Sequence, residues 1–238
     1  ICKGVKPKFY FVSGSGNKKN FTKKNLIKIS KSLKNEQKKY NINLCGGDTT
    51  FSNKLSFTIT SLGYSNDIVY RNRSKLHDDI YVTGNLGDSF IGLQILKNKI
   101  KVNKKMSKFF IKKYYKPDIQ IKIINYLLKI ANTSIDISDG LINDLSKMIN
   151  NQKLSFSINE NKIPISNALS KIIKQKKMKK VKLISNGDDY QILFTASINK
   201  SRIIAQTSKD LGIKISKIGK ICSNKKRSVI IDEKGKEI

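Results

Sequence analysis

Apolar residues in this chain recur at two periods, and the switching between them constrains the fold more than any other feature. Leu55, Phe57 and Ile59 alternate with polar residues, the period of a half-buried strand ending near Gly63. Leu26, Ile29 and Leu33 are spaced instead for an amphipathic helix over about 22–39. The short apolar segment Ile42-Asn43-Leu44-Cys45 then runs into Gly46-Gly47-Asp48. Further on, strands are expected at Ile80-Tyr81-Val82, 134–137, 154–158, 190–196 and 213–221. Between them come helices carrying Phe90, Leu93 and Leu96, at 106–115 and 118–131, over Leu141, Leu145 and Met148, at 166–177 and at 200–211. Strands alternating with helices of this length indicate an α/β architecture. The polar stretch 64–78 is the candidate junction, dividing the chain into 1–66 and 67–238.

The net charge of +31 would ordinarily point to nucleic acid or an anionic membrane. Here Lys, Asn and Ile supply about 104 of the 238 residues, a bias of the whole chain that AT-rich codons alone would produce. Arg, which carries most base readout, occurs only at 71, 73, 202 and 227. The lysines are scattered, with one short run at 174–180, so a solvated surface is favoured over a polyanion site. No apolar run approaches the roughly 20 residues needed to span a bilayer. The opening Ile1-Cys2-Lys3-Gly4 has neither an initiator Met nor the apolar core of a signal peptide, which suits a fragment or processed form. Cys2, Cys45 and Cys222 lack metal-ligand spacing and suit a reducing cytoplasm.

There is no Walker A sequence, and Gly14-Ser15-Gly16 lacks a third glycine at the dinucleotide spacing. His77, the single histidine, reads as a surface residue. What remains is a set of aspartates at expected strand–loop junctions: Asp48, Asp136, Asp139, Asp188 and Asp189. Such junctions are where α/β folds place ligand groups. Carboxylates without histidine or cysteine suit a hard cation such as magnesium, and magnesium suits phosphates. Each has a plain alternative: Asp139 before Gly140-Leu141 as a helix cap, and Gly47-Asp48-Thr49 as an ordinary turn.

Four strings occur in order: Gly46-Gly47-Asp48-Thr49-Thr50, Tyr81-Val82-Thr83-Gly84 with Leu86-Gly87, Ile135-Asp136-Ile137-Ser138-Asp139-Gly140-Leu141, and Gly187-Asp188-Asp189-Tyr190. Their order and spacing resemble the thiamine-monophosphate kinase family, and Gly4-Val5-Lys6-Pro7 is similar to that family's approach to its second long strand. The resemblance implies a two-domain, aminoimidazole-ribonucleotide-synthetase-like α/β fold with an incomplete first domain, in a cytoplasmic homodimer. It implies direct transfer of the ATP γ-phosphoryl group to thiamine phosphate. By the family pattern Asp48, Asp136 and Asp139 would bind Mg2+. Gly46 and Gly47 would let the backbone approach the nucleotide phosphates, Arg73 and Ser138 would contact ATP, and Asp188 would contact thiamine phosphate. Asp188 stands where the family usually has glutamate, and Asp78 where it prefers glycine. Two rivals remain: another ATP-using enzyme on the same scaffold, and a basic nucleic-acid-binding or scaffold protein on a decayed kinase fold. A steep salt dependence of tight DNA binding would mark the last of these.

Overall fold

The computed structural model describes residues 1–225, 227–232 and 234–237. The chain forms two compact units, Val5–Asn66 and a larger one that joins Ile1–Gly4 to everything from Asp67 onward.

The smaller unit contains β1 (Phe9–Gly16), α1 (Lys23–Tyr40), β2 (Asn43–Phe51) and β3 (Ser56–Leu62). Its sheet runs β2-β1-β3, with β1 parallel to β2 and antiparallel to β3. A parallel pair needs a crossover, which α1 provides. The Thr22 side chain accepts from Asn25 N to start that helix, and Asn41, left-handed at φ 51°, ends it. One feature was not foreseen from sequence, and a second differs from the expectation. Gly14-Ser15-Gly16 is the end of the central strand, with Gly16 packed on Phe21. The Gly46-Gly47-Asp48 string lies inside β2 rather than after it, because β1 offers backbone partners as far as Phe51.

In the larger unit the elements are β4 (Asp79–Thr83), α2 (Asp88–Leu96), α3 (Lys104–Tyr115), α4 (Ile124–Ile130), β5 (Thr133–Asp136), α5 (Leu141–Met148) and β6 (Leu154–Asn159). They continue as α6 (Asn167–Lys176), α7 (Lys180–Ile184), β7 (Ile192–Ala196), α8 (Ser201–Leu211), β8 (Ile215–Ser223) and β9 (Val229–Ile231). The sheet order is β5-β7-β4-β8-β6-β9, antiparallel at every neighbouring pair except β6–β9. All five residues of β4 are buried, since both sheet faces are covered. Ile80 and Val82 join Leu141, Leu145 and Met148 of α5 in one cluster. Tyr81 stacks on Phe194, ring centroids 5.3 Å apart, in a second cluster with Leu127 of α4 and Ile204 of α8. The period-2 alternation along these strands is what sends neighbours to opposite cores. A third cluster, with Ile91, Phe110, Leu169 and Leu183, holds α2, α3, α6 and α7 together.

The helix expected over 118–131 is interrupted: a 3-10 turn at Ile121–Ile123 precedes α4. Gln191 explains the delay, because its Nε2 donates to the Asp118 carbonyl (3.0 Å) and its Oε1 accepts from Gln120 Nε2 (3.0 Å). Those bonds hold 118–120 outside helical geometry. Among the described residues no helix is long and apolar enough to cross a membrane.

Candidate functional site

Antiparallel pairing of β5 with β7 puts the end of one beside the beginning of the other, with Asp136 opposite Ile192. The chain leaving β5 through Ser138-Asp139-Gly140 therefore meets the chain entering β7 through Gly187-Asp188-Asp189-Tyr190. Backbone hydrogen bonds lace the two segments: Asp188 N to Ser138 O (3.0 Å), Tyr190 N to Ile137 O (2.8 Å) and Ile137 N to Gln191 O (2.9 Å). The approach is so close that a Cβ on Gly187 would stand 1.7 Å from the Ser138 oxygen, and one on Gly140 would stand 2.2 Å from the Ser185 oxygen. Gly140 is also left-handed at φ 108°. Asp188 and Tyr190 take left-handed backbone at φ 67° and 51°. Strain of this kind, about 1–2 kcal/mol per residue, persists only where surrounding contacts hold it. Asp188 and Asp189 thus stand just before β7, on the near side of the strand expected over 190–196.

Charge gathers on this junction. The Tyr190 phenol is pushed up by its partial burial and then by Asp188, Asp136 and Asp139 in turn, so three carboxylates act on one half-exposed ring. Asp136 accepts from the Cys2 thiol, and Asp139 is paired with the Lys147 ammonium. The donors here are carboxylate oxygens plus the Ser138 hydroxyl, a hard set that suits Mg2+ rather than a softer metal. Among the described residues no three His, Cys, Asp or Glu side chains stand close enough together to hold a metal ion as they are.

The remaining predicted residues belong to other elements. Gly46, Gly47 and Asp48 sit on β2 in the smaller unit, bordering a cleft of about 510 Å³ with Val12, Gly14 and Phe21. A Cβ on Gly47 would stand 1.8 Å from the Val12 oxygen, so close strand approach alone requires glycine there. The Asp48 carboxylate accepts from Thr49 N at 2.7 Å. Arg73 lies over the Tyr70 ring, 4.1 Å from its centroid. Its segment is pinned at Tyr70 O by Thr133 and at Ser74 Oγ by Thr195. Thr133 and Thr195 are paired at the far end of β5–β7, about 10 Å along the strand from Asp136. His77 is exposed, on left-handed backbone at φ 70°.

Comparison with known proteins agrees with this architecture. A thiamine-monophosphate kinase of Buchnera aphidicola (subsp. Schizaphis graminum) is 38% identical over 216 residues, 90% of this chain and 66% of that protein. That of Haemophilus influenzae is 34% identical over 196 residues, 81% of this chain and 59% of its own length. The chain belongs to the thiamine-monophosphate kinase family. It spans less than two thirds of the length of these curated relatives. No protein-family model matches it. Among solved structures, thiamine monophosphate kinase from Aquifex aeolicus superposes with a TM-score of 0.84 at 23% identity, over 100% of this chain and 76% of that one. The structure described as AaThiL complexed with AMPPCP and TMP gives 0.85 at 23%, covering 100% and 73%. The hydrogenase maturation protein HypE of E. coli gives 0.79 at 14%, covering 100% and 74%. The shared fold is the aminoimidazole-ribonucleotide-synthetase-like one.

Two carboxylates of this family member have places that motif reading did not reveal. Asp189 turns inward, 3% exposed, and accepts from Gly87 N at 2.7 Å, where the chain enters α2. Its carboxyl is pushed up to about 7, chiefly by burial. The neighbouring Asp88 is buried against Ser166 and is pushed up to about 6, again chiefly by burial. The Leu86-Gly87 string was the available signal, since a helix beginning after glycine has no side-chain cap of its own. Asp144, 1% exposed in the first turn of α5, is the second. An acid beside Leu141, Leu145 and Met148 on the apolar stripe of a helix was its signal.

These raised values set a pH dependence. A carboxyl whose folded value lies above its unfolded value near 3.9 favours folding below about pH 4, and that contribution is lost as pH rises through the folded value. Stability should therefore fall between about pH 4 and 7 through Asp88 and Asp189, by at most about 1.4 kcal/mol per pH unit for each titrating group. Asp189→Asn keeps an acceptor for Gly87 N and should flatten this slope. Urea midpoints of both proteins at pH 4 to 8 measure the difference, and parallel curves would refute the assignment.

Proposed function

We propose that the protein is a thiamine-phosphate kinase that transfers the γ-phosphoryl group of ATP directly to the phosphate of thiamine phosphate, giving thiamine diphosphate. The lacing of Ser138-Asp139-Gly140 to Gly187-Asp188 carries this reading, because it joins the segment bearing Asp136 and Asp139 to the one bearing Asp188, and all three carboxylates act on the Tyr190 ring. Membership in the family and the AMPPCP and TMP bound to AaThiL add support. Asp48, Asp136 and Asp139 would hold Mg2+, which when bound neutralises phosphate charge and supplies electrostatic stabilisation. Gly46 and Gly47 would admit the nucleotide phosphates, and Ser138 and Arg73 would contact ATP. The acceptor oxygen is already anionic, so no residue need act as a general base and no covalent enzyme intermediate forms. A cytoplasmic homodimer is part of the same proposal.

Asp188 provides the test of substrate placement. We assign it to thiamine phosphate, where its carboxylate can accept from the exocyclic amine of the pyrimidine ring. The matched variant is Asp188→Gly, because glycine adopts the left-handed backbone found here without strain and leaves no acceptor behind. Losing such a buried partner costs on the order of 1–3 kcal/mol. The Michaelis constant for thiamine phosphate should rise about tenfold, with that for ATP little changed. Steady-state formation of thiamine diphosphate, each substrate varied in turn, measures both. The reverse pattern would exchange the two substrates, and ATP hydrolysis without thiamine diphosphate would remove the kinase reading.

A further inference from the structure

Asp144 is buried, and neither a metal nor a substrate role falls to it in the reading above. Its Oδ2 accepts two consecutive backbone amides, Ser138 N at 2.9 Å and Asp139 N at 2.8 Å. From the other side, the Ser138 carbonyl accepts Asp188 N at 3.0 Å. The Ser138 residue is thus gripped at both its N–H and its C=O, and only the first grip comes from a side chain. Asp144 Oδ1 lies 3.5 Å from Lys147 Nζ, and the same ammonium pairs with Asp139 Oδ2. Asp139 is consequently held at its backbone by Asp144 and at its carboxylate by Lys147, all from successive turns of α5.

We propose that Asp144 is a positioning residue: its carboxylate clamps the Ser138–Asp139 turn so that the Ser138 hydroxyl and the Asp139 carboxylate project toward the nucleotide and its metal. The role rests on the kinase reading for what is being positioned, but the clamp itself does not. Both amides point at one oxygen, so the clamp needs an acceptor atom there rather than a full negative charge. Asp144→Asn can present its carbonyl oxygen to both N–H groups, whereas Asp144→Ala leaves two amides with no acceptor inside the protein. A buried carboxylate kept only for ion pairing with Lys147 would behave differently, because asparagine would lose that pairing as surely as alanine.

The experiment compares the wild-type protein with Asp144→Asn, Asp144→Ala and Lys147→Met. Amide hydrogen exchange at Ser138 and Asp139 is measured by NMR, and Mn2+ binding with ATP present by electron paramagnetic resonance. The expected result is slow exchange at both amides in wild type, Asp144→Asn and Lys147→Met. In Asp144→Ala exchange should be at least tenfold faster, and Mn2+·ATP binding about tenfold weaker. Asp144→Asn should bind Mn2+·ATP within about threefold of wild type. Exchange unchanged in Asp144→Ala overturns the clamp, and so does faster exchange in Asp144→Asn equal to that in alanine. Faster exchange without weaker Mn2+·ATP binding overturns the positioning role. Should Asp144→Ala not fold, Asp144→Ser decides by the same two readouts, because its shorter side chain cannot reach both amides. A wild-type protein that binds no Mn2+·ATP removes the metal-dependent kinase reading and the positioning role with it, while the exchange data still judge the clamp.

Discussion

Asp139→Asn should reduce formation of thiamine diphosphate at least about a hundredfold while leaving the folded protein nearly as stable as before. The size follows from removing a preorganised charge beside a transferring phosphoryl group, where single electrostatic contacts are worth about 10²–10³ in rate. The small effect on stability follows from exposure, since 58% of the Asp139 side chain is accessible and its one close partner, Lys147, is itself half exposed. Exposed pairs of this kind add little to stability, because solvent and salt screen them. Initial rates with saturating ATP, a magnesium titration and a urea midpoint measure the three consequences. Near-normal turnover with unchanged magnesium dependence would refute the metal role. A stability loss of several kcal/mol would instead make Asp139 a structural cap.

The second large effect concerns Gly187. Alanine there would set its Cβ 1.7 Å from the Ser138 oxygen, 2.5 Å from its carbonyl carbon and 3.0 Å from the Asp139 Cα. All three are backbone atoms, so no rotamer change relieves the clash and the laced segments must separate. Gly187→Ala should cost about 3 kcal/mol, the upper range for inserting a methyl into close packing, and should also abolish turnover. Gly212→Ala is the control: nothing lies within 4 Å of its Cβ, and only its left-handed φ of 62° opposes the change. That should cost about 1–2 kcal/mol and spare catalysis. Urea unfolding of both variants with parallel assays checks the contrast, and equal losses would mean that the close approach is not what demands glycine.

Local pattern determined a good deal by itself. The helical spacing of Leu26, Ile29 and Leu33 and the alternation of Leu55, Phe57 and Ile59 yield α1 and β3 almost to their ends, because both depend only on neighbours a few residues away. The strings around Asp136, Asp139 and Asp188 identified the family, and scarcity of acid in a basic chain drew attention to them. Strand order was not legible. β4 is flanked by β7 and β8, more than a hundred residues away, and pairing across such distances leaves no periodic trace in sequence.

That pairing decided the candidate site. Because β5 and β7 run antiparallel, residues that follow one strand meet residues that precede the other, which brings Asp136 and Asp188 to one junction. Adjacent letters also parted: left-handed backbone at Asp188 and Tyr190 leaves Asp188 partly open and sends Asp189 into the start of α2. Asp144, equally, became visible only when its oxygen was found against the amides of Ser138 and Asp139. Sequence alone supplied the element types and the list of scarce acids, set by local period and composition, and its motif strings carried the family resemblance. Tertiary structure supplied which acids face one another, which are buried, and which hold the others in place, because those depend on the path of the chain between them.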